Sequence, residues 1–239
     1  MKKMIFFLLG SFLSLAVFAQ KQIDDPNVEL RKVGSFHGIE SANGIVVILV
    51  QGSEESVAVS ANEVKYRDKI RTEVEDGILK IYYGNEDWKL WQAVNGRKLR
   101  AYVSVKNIDR IEVSSGSDVK IEGTIKANDL KMDASSGASI KGRIEASNLK
   151  VDQSSGATII LSGSVANKIS LDGSSGSSFR GFDLVADICD IDVSSGSGIQ
   201  ITVNKDLTVE ASSGGYVQYK GTALISKVHT DSGGIVVKK

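Results

Sequence analysis

The sequence predicts an all-β chain, a parallel β-helix (β-solenoid) with coils of about 20 residues. Two observations carry the prediction. The tripeptide Ser-Ser-Gly recurs at 114–116, 135–137, 154–156, 174–176, 194–196 and 212–214, with a degenerate Asp231-Ser232-Gly233 after it, and successive glycines are 21, 19, 20, 20, 18 and 19 residues apart. That period is too short for a helical-pair or propeller-blade repeat and suits one turn of a solenoid. Aligning the copies on the glycine also exposes two columns that are apolar in all seven: Ile111, Met132, Val151, Leu171, Ile191, Val209 and Val228 five residues before it, and Val119, Ile140, Ile159, Phe179, Ile199, Val217 and Val236 three after it.

Taken from the start of the chain, Met1-Lys2-Lys3 followed by an apolar run from Ile5 to Phe18, with small residues at Val17 and Ala19, reads as a signal peptide over 1–19. The run is shorter than a spanning helix needs and no second one follows, so no transmembrane segment is expected. No Cys follows the run to carry a thioether-linked lipid. Residues 20–32 read as a flexible segment, and 33–239 as a single β-solenoid domain, divided into N-terminal strands and cap (33–106) and Ser-Ser-Gly coils (107–239).

Without Lys2 and Lys3 the remaining chain has 27 basic and 29 acidic residues, a balance that gives no electrostatic reason to expect nucleic acid as a partner. The only cysteine, Cys189, excludes an intramolecular disulfide. One proline and 24 glycines suggest many tight bends rather than a Pro-rich linker.

Within 33–106, strand-like segments are Ile45 to Val50, Ser56 to Ser60, Lys69 to Val74, Ile78 to Tyr82 and Leu99 to Val105, separated by turn signals at Gln51-Gly52-Ser53, Asp76-Gly77 and Asn95-Gly96. This region lacks the corner tripeptide and is expected to cap the first coil and continue its sheets.

In five of the repeats, Leu130, Leu149, Ile169, Cys189 and Leu207 stand two residues before the first apolar column, the period of a half-buried strand. Cys189 therefore reads as a small core residue. The glycine supplies a left-handed corner, and the serines before it are expected to stack and to bond backbone groups left unpaired by the bend. Small residues follow: Ser117, Ala138, Ala157, Ser177, Ser197, Gly215 and Gly234. As nucleophiles the serines fail, because near-identical copies each need a base and the chain has only His37 and His229.

Four residues before the glycine stands a column of acids: Glu112, Asp133, Asp152, Asp172, Asp192 and Glu210, then His229. With strands about 4.8 Å apart, neighbours repel by about 0.9 kcal/mol in water-like dielectric. Arg110, Lys131 and Lys150 offset the first half. In the second half the equivalent positions are Ser170, Asp190 and Thr208, so Asp172, Asp190 and Asp192 look uncompensated. Two readings follow: a weak divalent-cation site of oxygen ligands at these three, or a solvated negative stripe that blocks lateral aggregation. Neither histidine is expected to bind metal, and no cofactor is expected.

Tyr82, Tyr83, Asp87, Trp88 and Trp91 concentrate aromatics beside polar groups, as a sugar-binding platform requires. The same segment also suits a short cap over the open solenoid end. Near the other end, Tyr216 and Tyr219 are placed to close the last coil.

The order Phe36-His37-Gly38-Ile39, Asn43-Gly44-Ile45-Val46-Val47, Gly77-Ile78-Leu79-Lys80-Ile81 and then repeated Ser-Ser-Gly strands resembles the putative auto-transporter adhesin, head-GIN-domain family over residues 33 to 237. The resemblance implies a right-handed parallel β-helix in a secreted or envelope protein. It also implies an adhesin-like, non-enzymatic binding or scaffold role, with a glycan or envelope protein as partner. The alternatives are a carbohydrate-active enzyme using a pair from the acidic column, and an envelope protein that self-associates through the solenoid ends into a homo-oligomer.

Overall fold

The computed structural model describes residue 25 and residues 27–84 and 96–239. The repeats stack as one ladder of parallel strands: β8 (Arg110–Val113), β9 (Asp118–Ala134), β10 (Ser139–Gln153), β11 (Thr158–Gly173), β12 (Ser178–Val193), β13 (Gly198–Ala211), β14 (Tyr216–Lys220), β15 (Leu224–Thr230) and β16 (Ile235–Lys238). Strands β9 to β13 each pair in parallel with the next, and β13 then pairs with β14 and β15, β14 with β16. Both apolar columns are single files in space, running Ile111–Met132–Val151–Leu171–Ile191–Val209–Val228 and Val119–Ile140–Ile159–Phe179–Ile199–Val217–Val236 in Cα register. Nearly every member up to Val217 is fully buried, so one aliphatic interior runs through the stack.

Each corner is a tight turn with two left-handed residues. The second serine has φ between 48° and 54° and the glycine φ between 69° and 81° at all seven copies. The residue after the glycine donates its N–H to the carbonyl three residues back, as in Ser117 N to Ser114 O (3.0 Å) and Ala157 N to Ser154 O (3.0 Å), which defines a type I′ turn. A Cβ at Gly156 or Gly176 would meet nothing within 4 Å, so the backbone conformation and not crowding demands glycine there. The expected hydroxyl bonds at the corner are replaced by backbone ones: Gly137 N donates to Ser155 O and Gly156 N to Ser175 O, each at 3.0 Å, carrying the parallel ladder through the bend. The hydroxyls that do bond inside are those of the following residue, with Ser177 Oγ and Ser197 Oγ 2.8 Å apart.

The other bends are gentler and absorb differences in coil length. Against β13 the register slips by three residues between Gly181 and Val185 and regains one between Ala186 and Ile188, which together account for the fall in glycine spacing from 20 to 18.

The N-terminal region continues the same ladders out of chain order. Its strands are β1 (Glu29–Arg31), β2 (Gly38–Ser41), β3 (Val46–Gln51), β4 (Ser56–Ser60), β5 (Ile70–Glu75), β6 (Ile78–Tyr83) and β7 (Arg100–Val105), with one turn of helix, α1 (Val64–Arg67). β2 and β3 form the coil directly beneath β8 and β9, and β6 and β7 form a further coil beneath β2 and β3, all parallel. Asn43 and Gly44, with φ of 65° and 75°, form the corner of the β2–β3 coil, and Gly44 N donates to Ser115 O at 3.1 Å. The N-terminal region thus holds an Asn-Gly form of the corner expected to be missing from it.

Antiparallel strands then close the outermost coil. β5 pairs with β6 through an Asp76-Gly77 turn, β4 pairs with β7, and β1 pairs with β4. Residues 29–31, within the segment expected to be flexible, are thereby tied into the sheet. Asp25 anchors the same corner, accepting from Ser60 Oγ at 2.5 Å and Arg100 Nη1 at 3.2 Å. Burial alone would raise the Asp25 carboxyl, but hydrogen bonds from Ser60, the Asn27 backbone and Arg100 outweigh it and hold the group below the usual range.

Candidate functional site

The acidic column becomes a wall of a groove on the described surface. The strand registers align Glu40, Glu112, Asp133, Asp152, Asp172, Asp192 and Glu210, then His229, one per coil. Glu40 is a member that the corner-based alignment missed, because its corner is Asn-Gly and not Ser-Ser-Gly. Six of these carboxylates, Glu40 to Asp192, line a groove of about 570 Å³ together with the first corner serines Ser114, Ser135, Ser154, Ser174 and Ser194. Strand alternation puts acid and serine, two residues apart, on the same outer side.

Charge compensation changes along the column. Arg110 pairs with Glu112, Lys131 Nζ lies 3.1 Å from Asp133 Oδ2 and 3.8 Å from Asp152 Oδ2, and Lys150 Nζ lies 3.7 Å from the latter. Desolvation pushes the Asp133 carboxyl up despite Lys131, with Asp152 and Glu112 adding to the rise. Asp172 is also pushed up, first by desolvation and then by a hydrogen bond and charge repulsion from Asp152, with Asp192 contributing. Asp133 and Asp172 thus hold protons more tightly than isolated carboxylates do.

The three-acid cation site expected at Asp172, Asp190 and Asp192 does not assemble. Asp190 forms an ion pair with Lys168, a residue of the preceding coil, so its charge is compensated where the sequence showed no partner. Asp172 and Asp192 stay in the groove wall. Among the described residues no group of three His, Cys, Asp or Glu is arranged to hold a metal.

The aromatic platform divides. Tyr82 and Tyr83 alternate across β6: Tyr82 faces outward and donates its hydroxyl to Glu73 Oε1 at 3.1 Å, whereas Tyr83 is 7% exposed beneath the Arg97 guanidinium, 4.9 Å from its ring centroid. They do not form one stacking surface. Asp87, Trp88 and Trp91 lie outside the described residues. At the far end Tyr219 is buried in the interior, while Tyr216 points outward and accepts from Gln218 Nε2. His37, which looked isolated, pairs through Nδ1 with Asp109 Oδ1 at 2.9 Å. Cys189 is fully buried, and desolvation drives its thiol far above the usual range, as a packing role requires.

Stacked coils with a repeated outer face define a β-solenoid, and the comparison with known proteins agrees. Residues 35–223 match the family model described as putative auto-transporter adhesin, head GIN domain, and the chain belongs to that family. It is similar to the crystal structure of a putative adhesin from Bacteroides fragilis, with a TM-score of 0.76 and 16% identity over 88% of this chain and 95% of that one. A putative adhesin from Parabacteroides distasonis superposes with a TM-score of 0.69 at 15% identity, covering 90% of this chain and 98% of that chain. A putative lipid binding protein from the same organism superposes with a TM-score of 0.63 at 18% identity, covering 91% of this chain and 98% of that chain. At these identities the likeness is one of fold. No curated protein is significantly similar to the chain.

Proposed function

We propose that the chain is an exported, non-catalytic binding module of adhesin type, and that the acid-and-serine groove is its working face. The observation that supports this reading is the recurrence of one acid and one serine from coil to coil. Each of five successive coils offers one carboxylate and one corner hydroxyl. A ligand laid across the strands therefore meets the same pair of acceptors at every step of about 4.8 Å. That suits an extended glycan, whose hydroxyls donate to carboxylates and share bonds with serines.

Hydrolysis of a glycosidic bond asks for something different, two carboxyl groups held in contrasting environments at a fixed separation. The column repeats a carboxylate at every coil instead of isolating one pair, and although its charge compensation varies along the stack, that repetition supports a ladder of binding groups. Export is supported by the basic and apolar start of the chain, and among the described residues no helix is long and apolar enough to cross a membrane.

A glycan array probed with the wild-type protein and with the triple variant Asp152→Asn, Asp172→Asn, Asp192→Asn tests the reading. The expected result is binding that falls at least about tenfold in the variant, equivalent to about 1.4 kcal/mol, with no release of reducing ends from any bound polysaccharide. Turnover that the same variant abolishes would replace the reading with an enzymatic one. Binding lost in Trp88→Ala and kept in the triple variant would move the working face to the aromatic segment.

A further inference from the structure

The two ends of the solenoid are finished differently. At the amino-terminal end both ladders stop in antiparallel strands, β5 on β6 and β4 on β7. At the other end β15 and β16 each pair on one side only among the described residues, with β13 and β14. Among the described residues the last members of the apolar columns lie at this face. Ile225 and Val228 stand in register with the buried Leu207 and Val209, yet are 48% and 40% exposed. Leu224, Ile235 and Val237 add further exposed apolar surface, Leu224 at 77%.

We propose that this face binds the same face of a second copy, through a two-fold axis that sets β15 antiparallel to its counterpart and β16 antiparallel to its own. Two properties of the face select that occupant. An open strand edge needs hydrogen-bonding partners, which hydrocarbon cannot provide. A two-fold axis normal to the sheets reverses strand direction while keeping each sheet on its own side, so one copy covers both open edges at once. Antiparallel addition is also how this molecule closes its opposite end.

The area is sufficient. The end coil from Gly221 to Lys239 offers nineteen residues. At about 27–40 Å² per residue, the spread in standard interfaces, the pair would bury about 1,000–1,500 Å² in total, which reaches the lower part of the range of stable complexes.

Like charge does not oppose the contact strongly, because the lysines of the end coil turn back onto their own chain. Lys227 Nζ lies 2.6 Å from Glu210 Oε1. Lys238 stands over the Tyr219 ring and Lys239 over the Phe182 ring, at 5.8 and 5.6 Å. Ile225, Val228 and Val236 then meet their symmetry mates, and the aliphatic interior becomes continuous through both copies.

Sedimentation velocity on the purified protein from about 1 to about 200 µM, a span that covers micromolar dissociation constants, decides the matter. The expected result is a monomer that converts to a dimer and to nothing larger, since a two-fold contact closes on itself. Leu224→Arg should abolish the dimer without shifting the melting temperature measured at the lowest concentration, because that side chain packs on little within its own copy. Leu30→Arg, on the opposite end at 67% exposure, should leave the dimer intact. A monomer at every concentration overturns the proposal, as does a dimer that survives Leu224→Arg or is lost in Leu30→Arg. Open-ended polymers would show a head-to-tail contact in its place and also overturn it.

Discussion

The Ser-Ser-Gly coils and the amino-terminal coils share one backbone and obey different rules of sequence. From β8 onward each coil stacks on the one before it in the chain, and every corner is written with nearly the same three residues. In the first 105 residues the coil formed by β6 and β7 lies outside the one formed by β2 and β3, so the chain must pass back to reach β8. There a corner is written Asn-Gly. The difference teaches that the constraint on a corner is two consecutive left-handed residues and a continuous ladder, and that serine is one way of meeting it. Asn tolerates that conformation better than serine does, so the repeat's serines are chosen for something besides backbone comfort. It is the serine before each left-handed one, and not the left-handed one itself, that lines the groove.

The largest effect should separate interior from end. Ile159→Asp places an unpaired charge in the middle of the aliphatic file, where burial is complete, and should cost at least about 3 kcal/mol and melt several coils together. Val228→Asp alters the same kind of position at the open end and should cost under about 1 kcal/mol in denaturant unfolding at submicromolar protein. Equal losses would mean that the coils do not share a core.

The corner comparison predicts smaller shifts of opposite sign. Gly176→Ala forces a Cβ into a left-handed residue with φ of 69° and should cost about 1–2 kcal/mol. Ser175→Asn, which copies the amino-terminal corner, should be neutral or raise stability by a few tenths of a kcal/mol. Thermal melts of the pair would show it.

Along the acidic column, Asp172→Asn removes a carboxylate crowded by two neighbours and should stabilise the fold by about 1 kcal/mol or less at low ionic strength, the gain shrinking with salt. Asp190→Asn breaks the pair with Lys168 and should cost a few tenths of a kcal/mol.

The pH dependence follows from the same groups. Asp133 and Asp172 are raised when folded, so the folded state holds their protons longer than the unfolded chain does. Their contribution to stability is fully present below the ordinary aspartate value of 3.8 and is lost as pH rises through their raised values. Asp25, lowered when folded, works the other way: its contribution is present above that value and is lost as pH falls through its lowered one. Melting temperature followed from acid to neutral pH should therefore lose its downward slope above the ordinary carboxylate range in an Asp133→Asn, Asp172→Asn variant and keep the acid-side loss.

What the sequence made legible was whatever repeats. The two apolar files, the burial of Cys189 and the acid ladder all follow from aligning one glycine, because equal spacing along the chain becomes equal height along the stack. Contacts without a period stayed hidden. Lys168 and Asp190 are 22 residues apart and belong to different coils, so no local rule joins them. The reversed coil order was hidden because short parallel strands leave no mark of which neighbour they choose. The left-handed second serine was hidden because serine does not announce positive φ. Asn43-Gly44 was the available clue: read as a corner, it places Glu40 in the acid ladder from sequence alone.

The central claim is that the coils lie in register over a shared interior, and spin-label distances measure this directly. Lys120 and Gln200 are joined through Lys141, Ile160 and Arg180 by four strand steps, and Cys189 is too buried to take label. Labels at Lys120→Cys and Gln200→Cys should lie about 19 Å apart, four times the strand spacing, in a narrow distribution. A broad distribution, or one centred beyond about 30 Å, where roughly six strand steps would be needed, would contradict the stacked register.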